Sequence, residues 1–550
     1  MSQSLAEPRD AAPIEDFAHA EFSPQPGLTY YVEQTATGVV HHEKCVDAAG
    51  EAIYDQGIPI ALSVGSGERG RSYLIERGGR LYVSPISWYT KAGRWDFSPG
   101  YAVDHNLRFD RKVSEGCMAC HAGRVALSEE DHDRFASPPV HEGSIGCERC
   151  HGPGREHIAF RNASATGRQE DPIVNPARLT DGRRDAICNQ CHLQGRRRVV
   201  RSGRSEFTFR PGMFLGDNWV VFLKTAGVSS GTAAAVSQVE QMHASRCYLE
   251  SRGILGCITC HRGHEVPRGD EADRVYREAC VACHSAGKTE CSEDRARRVA
   301  VTAADSCVVC HMPKFPASDV HAAQTDHRVL RKPRHEPQES GSEQRRRDDE
   351  IVLFSEPGAQ VDAREWERAR GIFLAERAAS GGTADQAKRA VDLLAPIVKK
   401  LPADVEGRYL LGRAHEKLQQ NRRSVQVWKE ALEIDPRHED TLDALAVHYH
   451  DLHDLAEARR YYERLIEINP EKSQYYGRLA HVLGQLGDFQ RAIISAERCL
   501  EINPSLSQSH SWLAEVYRGM GDAERAAIHE SKLKQFQSLQ KELPRKSPGP

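Results

Sequence analysis

The sequence predicts a multidomain, mainly α chain: a small β-rich N-terminal unit, a middle region with little regular structure, and a C-terminal α-solenoid. Three observations predict it. Short β-branched and aromatic runs separated by turn residues fill positions 26–104. Six Cys-x-x-Cys-His motifs crowd into 117–311, where Gly and Pro leave room only for short helices and loops. Proline returns every 34 residues toward the C-terminal end.

Residues 1–25 are polar and acidic and read as a disordered tail. Within 26–104 the runs Leu28–Val32, Ala61–Val64, Ser72–Ile75 and Arg80–Val83 read as strands, with Gly78-Gly79 as the turn between the last two. Trp88, Tyr89, Trp95, Phe97 and Tyr101 supply either a local aromatic core, the favoured reading, or a face that packs this unit against the group held by the first motif, Cys117–His121. Gly65-Ser-Gly67-Glu-Arg-Gly70 matches the dinucleotide fingerprint GxGxxG. That fingerprint works only where a helix follows and offers its first amides to a pyrophosphate. Here a strand follows, and nucleotide binding is rejected.

The motifs are Cys117-Met-Ala-Cys120-His121, Cys147-Glu-Arg-Cys150-His151, Cys188-Asn-Gln-Cys191-His192, Cys257-Ile-Thr-Cys260-His261, Cys280-Val-Ala-Cys283-His284 and Cys307-Val-Val-Cys310-His311. Two thiols a short arc apart can each form a thioether with one haem vinyl group, and the adjacent imidazole then reaches the iron. A Cys₄ zinc site has no use for a histidine after every second cysteine. A redox dithiol or a disulfide framework leaves six identically placed histidines unexplained. The pattern therefore calls for six covalently attached haem c groups in residues 105–335. The twelve motif cysteines would hold them, with His121, His151, His192, His261, His284 and His311 as proximal iron ligands.

The sixth coordination position sets the chemistry of each iron. His157, His264, His321 and His327 lie just beyond motifs and are candidate distal ligands. His105 precedes the first motif and His243 the fourth, where Met242 competes with it. His41 and His42, on an expected strand, are further candidates. Arg196, Arg197, Arg198, Arg201 and Arg204 could pair with haem propionates or form a solvated basic loop. Outside the motifs, Cys247 and Cys291 are a candidate disulfide, and Cys499 reads as a small core residue.

Residues 336–362, charge-rich around Arg345-Arg-Arg-Asp-Asp, read as a linker. Residues 363–543 read as the solenoid. Pro402, Pro436, Pro470 and Pro504 recur every 34 residues, with Ala390, Ser424, Ala458 and Ala492 twelve positions earlier. This is the tetratricopeptide period, in which each helix pair buries its face by stacking on its neighbours. Units 405–438, 439–472 and 473–506 are clear, and 371–404 and 507–540 are divergent ends. The repeat histidines His448, His450 and His453 are expected at the surface.

A formal net charge of -4 marks no polyanion binder, so no nucleic-acid partner is expected. No stretch of about 18 apolar residues encodes a membrane span. The first residues show no signal-peptide core. Thioether-linked haem is nonetheless assembled outside the bacterial cytoplasm, and a periplasmic or extracytoplasmic location is expected.

Gly146-Cys-Glu-Arg-Cys-His-Gly-Pro-Gly154 with His157, Gly256-Cys-Ile-Thr-Cys-His-Arg-Gly-His264 and Cys307-Val-Val-Cys-His-Met-Pro313 resemble multihaem cytochromes related to the cytochrome c-554 type. The arrangement resembles bacterial proteins that join such a domain to tetratricopeptide repeats. The resemblance covers 105–330 and implies that His157 and His264 are distal ligands to neighbouring haems. Multihaem nitrite reductases are related, but their active-site motif ends in Lys, and all six here end in His. The expected function is electron transfer, with redox partner proteins docked in part on the repeats. The alternative is a multihaem oxidoreductase acting on a small nitrogen or sulfur compound at one haem with an open axial site.

Overall fold

The computed structural model describes residues 5–8, 14–128, 133–163, 170–224, 237–285, 291–302, 304–314, 325–331 and 351–542. Two compact units divide the chain. One is Ser144–Asp404, and the other joins Ser2–Gly143 to Val405–Pro550.

In the second unit, Glu21–Gln25, Leu28–Thr35, Gly38–Val46 and Ala52–Pro59 form a four-stranded antiparallel meander. A five-stranded sheet orders Leu5–Ala6, Leu62–Val64, Ser72–Arg77, Arg80–Val83 and Arg111–Lys112. Period-2 burial explains the meander: Val39, His41, Glu43 and Cys45 point inward from one strand. Gly78 and Gly79 turn one strand into the next with φ of +57° and +80°, where a side chain would be strained. Trp88 and Trp95 meet at 5.5 Å among Tyr30, Tyr73, Ile75 and Ile86, so these aromatics form a local core. The expected 1–25 tail is corrected. Leu5 is buried on an edge strand, and Phe22 stacks on Tyr30 at 5.4 Å.

The same unit contains four helix pairs: Val405–Lys417 with Asn421–Ile434, Glu439–Asp451 with Leu455–Ile468, Ser473–Gln485 with Phe489–Ile502, and Ser507–Gly519 with Ala523–Glu542. The small periodic residues Ser424, Ala458 and Ala492 are fully buried where helices cross. Gly412 lies against the Trp428 indole so closely that a Cβ would collide with it. Trp428 is fully buried and donates to the Tyr409 carbonyl at 3.0 Å. His448 corrects the surface expectation: it is buried, with its ring 5.8 Å from that of Trp428. His453 is exposed as expected, and His450 is half-buried.

The sheets grip the repeats at the loops that join one repeat to the next. Glu439, at the start of its helix, receives Lys112 at 3.5 Å, Arg80 at 3.7 Å and Lys472 at 3.8 Å. Tyr82 donates to Asn469 at 3.3 Å, and Arg108 bridges buried Glu43 to Asn503. Asn469 and Asn503 each precede a repeat proline.

In the first unit, Arg197–Val200, Trp219–Lys224 and Ile351–Leu353 form a three-stranded antiparallel sheet. The helix pair Ala363–Ala379 and Ala384–Lys400 belongs to this unit. Phe222 lies 5.1 Å from Trp366 and 5.8 Å from Phe373. Arg368 is buried, pairs with Asp404 at 2.7 Å and donates to the Val200 carbonyl. The linker expected over 336–362 therefore ends in ordered structure from Ile351, and its residues 336–350 lie outside the described ones. The arginine cluster is largely structural. Arg197 grips Glu376 at 2.6 Å, and Arg198 lies 3.7 Å from the Trp219 ring and donates to Glu206. Arg201 donates to the Gly216 carbonyl.

Two outcomes follow. Gly412→Ala should cost about 1–3 kcal/mol by overpacking against Trp428, read as a lowered melting temperature. The cations around Glu439 outweigh its burial and lower its carboxyl from 4.5 to about 2. A depressed folded pKa contributes stability that is complete above the unfolded value and disappears as pH falls through the folded one. Acid denaturation should therefore show a loss on the order of 3 kcal/mol between pH 4.5 and about 2. Glu439→Gln should flatten that segment of the profile.

Candidate functional site

Each motif places its two cysteines one helical turn apart, and its histidine closes the turn. The first lies on Glu115–His121, where Met118 and Ala119 are buried and Cys117 is exposed. In the second, Cys147 caps the helix Glu148–His151 that carries the rest of the motif, and the third ends the helix Asp181–His192. The fourth lies on Cys257–Cys260, with His261 just beyond it. The fifth ends the 16-residue helix Gly269–His284, longer than the short pieces expected here. The sixth is Cys307–His311. The first motif belongs to the unit that carries Val405–Pro550, and the other five lie in Ser144–Asp404.

Among the described residues, two pairs of thiols from different motifs lie close enough to perturb one another. Cys188 and Cys257 share a thiol hydrogen bond that lowers the Cys188 pKa and raises that of Cys257. Cys280 and Cys307 do the same: Cys307 falls to about 6, and Cys280 is pushed up. The expected Cys247–Cys291 disulfide is not formed. Both thiols are free, and Cys291 faces Arg298. Cys499 is buried beside Ser509, a core position as expected.

The imidazoles carry more information. His151 Nδ1 donates to the Val174 carbonyl at 2.8 Å, and His311 Nδ1 to the Leu330 carbonyl at 2.6 Å. His157 Nδ1 donates to Asp171 at 2.7 Å, and His327 Nδ1 to the Thr325 carbonyl at 2.9 Å. Carbonyls and carboxylates only accept, so the proton is fixed on Nδ1 in all four. The Nε2 lone pair is then left to act as a metal ligand, the arrangement in which a second group orients the ring.

Two ring pairs come together. His151 and His264 have centroids 5.8 Å apart with planes at 14°, and His261 and His327 lie 6.2 Å apart at 27°. His192 joins the second pair. Burial lowers its pKa and that of His261, and the neighbouring His327 lowers both further. His243 stacks on Tyr248 at 4.1 Å, and burial lowers its pKa to about 4. Its Nε2 is buried without a hydrogen-bond partner.

Other candidates separate cleanly. His105 is exposed in a turn paired with Ala102, and His284 is exposed at its helix end. His321 lies outside the described residues. His41 and His42 are corrected as haem-facing candidates. His41 is sealed inside the sheet core, bonded to Ser84 at 2.7 Å beside Tyr73 and Trp95. His42 stacks on Tyr31 between Asp55 and Glu33. Sequence reasoning missed Asp171 and Glu356. Burial raises the Glu356 carboxyl to about 7, and it accepts from Leu215 N–H at 2.6 Å and from Asn189 of the third motif at 3.5 Å. Among the described residues, no three His, Cys, Asp or Glu side chains converge as a metal-binding group.

Residues 405–438, 440–472 and 473–506 match the family described as Tetratricopeptide repeat. This stretch is a tetratricopeptide repeat array. Solved structures similar to the chain include MamA from AMB-1, 24% identical over 33% of this chain and 94% of that one, with a TM-score of 0.29. MamA from MSR-1 is 24% identical over 32% of this chain and 97% of its own, with a TM-score of 0.27. A double mutant of MamA from RS-1 is 18% identical over 32% and 98%, with a TM-score of 0.30. No curated protein sequence matches the chain. No helix among the described residues is long and apolar enough to cross a membrane.

The touching thiols make a direct prediction for the chain without bound groups. Mild oxidation should give Cys188–Cys257 and Cys280–Cys307 cross-links in non-reducing peptide mass spectrometry. Cross-links confined within single motifs would contradict this pairing of thiols across motifs.

Proposed function

We propose that this chain is a hexahaem c-type cytochrome that transfers electrons, with its repeat array docking a redox partner protein. One observation carries the reading: six motifs each present two thiols one turn apart with an imidazole closing the turn. The ring chemistry supports it. Histidines whose Nδ1 is tied to a carbonyl or carboxylate are the tautomer a metal requires. The His151–His264 and His261–His327 ring centroids, 5.8 Å and 6.2 Å apart, would leave room for one iron between each pair of imidazoles.

On this reading the motif cysteines hold the haems, and His121, His151, His192, His261, His284 and His311 are proximal ligands. His264 and His327 are the favoured distal ligands of the second and fourth haems. His157 and His243 are held ready for neighbours, and His105 and His321 remain candidates. Bound haem supplies one-electron redox chemistry, with its potential tuned by the axial ligand and the second shell. The protein orients the imidazoles, through Val174, Asp171, Thr325 and Leu330, and keeps the attachment helices close. The nearness of the thiols of motifs three and four, and of five and six, would bring the haems they hold close to one another. Haem attachment would place the protein in the periplasm or another extracytoplasmic space. The repeats imply protein partners.

Expression in a host competent for cytochrome maturation tests the reading. The product should be red and heavier than the polypeptide by six haems. Electron paramagnetic resonance should show only low-spin iron. A colourless product of bare-chain mass would end the proposal. A high-spin haem that binds nitrite or cyanide would move it to the oxidoreductase alternative.

A further inference from the structure

We propose that the repeat array acts on the first haem through Lys112 and Glu439, which set that haem's potential and hold its attachment helix. The inference rests on the haem reading above. The unit joining Ser2–Gly143 to Val405–Pro550 holds one motif, Cys117–His121, together with the repeats. The helix Glu115–His121 is pinned on one side by Met118 and Ala119, 1% and 2% exposed, while Cys117 is exposed.

A chain of alternating charge reaches the first turn of this helix from the repeats. The Glu115 backbone N–H donates to Asp133 Oδ1 at 2.8 Å. The other Asp133 oxygen takes Lys112 Nζ at 3.0 Å. The same ammonium lies 3.5 Å from Glu439 Oε2, in the first turn of the repeat helix Glu439–Asp451. Glu439 is held on its far side by repeat residues: Asn469 donates to it at 2.9 Å, Tyr475 donates at 2.9 Å, and Lys472 lies 3.8 Å away. A shift of the Glu439 helix against its neighbour would change how far the Lys112 charge is offset by an anion, and Lys112 stands five residues before Cys117. The five other motifs belong to the other unit, Ser144–Asp404. A protein bound to the repeats would thus be registered at the first haem.

The signs make the test specific. Removing a cation near a haem favours the oxidised, more positive state, and removing an anion favours the reduced one. The experiment uses the haem-loaded full chain. Potentiometric titration followed by electron paramagnetic resonance gives the six potentials, and C117A/C120A identifies the first haem by its loss. In Lys112→Met that potential should fall, and in Glu439→Gln it should rise, with the other five unchanged and Lys112→Arg restoring the parent value. Loosening of the helix alone would move both variants in the same direction, an outcome that overturns the proposal. Hydrogen–deuterium exchange adds a readout independent of haem. Amides of 115–121 should exchange several-fold faster in Lys112→Met, while those of 257–260 keep the parent rate. Six haems by mass with six parent potentials in both variants, and unchanged exchange at 115–121, would refute this inference and leave the haem reading intact. Bare-chain mass would instead sink the haem reading, and the exchange data would still judge the role of Lys112.

Discussion

A carboxylate withdrawn from water must be met by cations and donors on every side, and Glu439 meets that demand with groups from two distant stretches of chain. Arg80 and Lys112 come from the N-terminal sheet, while Lys472, Asn469 and Tyr475 come from the repeats. Neither half can leave without stranding charge in a low-dielectric site, which costs several kcal/mol per ion, on the order of 3–5 for a broken buried pair. Glu43 repeats the logic, with Tyr30, Tyr54 and Arg108 on its two oxygens and Arg108 reaching on to Asn503. Polar closure of this kind therefore ties the sheet to the solenoid.

The repeats are legible in the sequence because their small residues answer a geometric need that recurs. Ala458 and Ala492 sit where two helices cross with no room for a longer side chain. The asparagines before the repeat prolines recur with the same period, but their use as anchors for Tyr82 and Arg108 depends on a partner element that no periodicity records. Leu5–Ala6 is illegible for a different reason: two residues cannot display alternation. Ile351–Leu353 follows a run of charge that dominates any local average, yet pairing with Trp219–Lys224 orders it. His448 shows the opposite failure. A polar residue type suggested the surface, while the helical phase places it against Trp428.

At the candidate site the local half is legible and the tertiary half is not. Cys, Cys and His within five residues need only one helical turn to become a unit, so the attachment pattern reads directly. The ring pairings join positions far apart in the chain, as with His151 and His264. The groups that fix the tautomers are mostly backbone carbonyls, those of Val174, Thr325 and Leu330, which leave no trace in side-chain identity. Asp171 is the exception, a carboxylate near enough in sequence to His157 to have been a signal.

The last described helix carries one more implication. Leu539 packs on Cys45 and Ile53, Gln535 donates to Asp47 at 3.0 Å, and Lys532 donates to the Ile53 carbonyl. The meander therefore emerges from the ribosome long before the helix that covers its outer flank. Contacts of such long sequence separation form slowly, because the intervening chain must first be gathered in. Until that happens Cys45, and the apolar strip around it, remains open to a chaperone or to an oxidant.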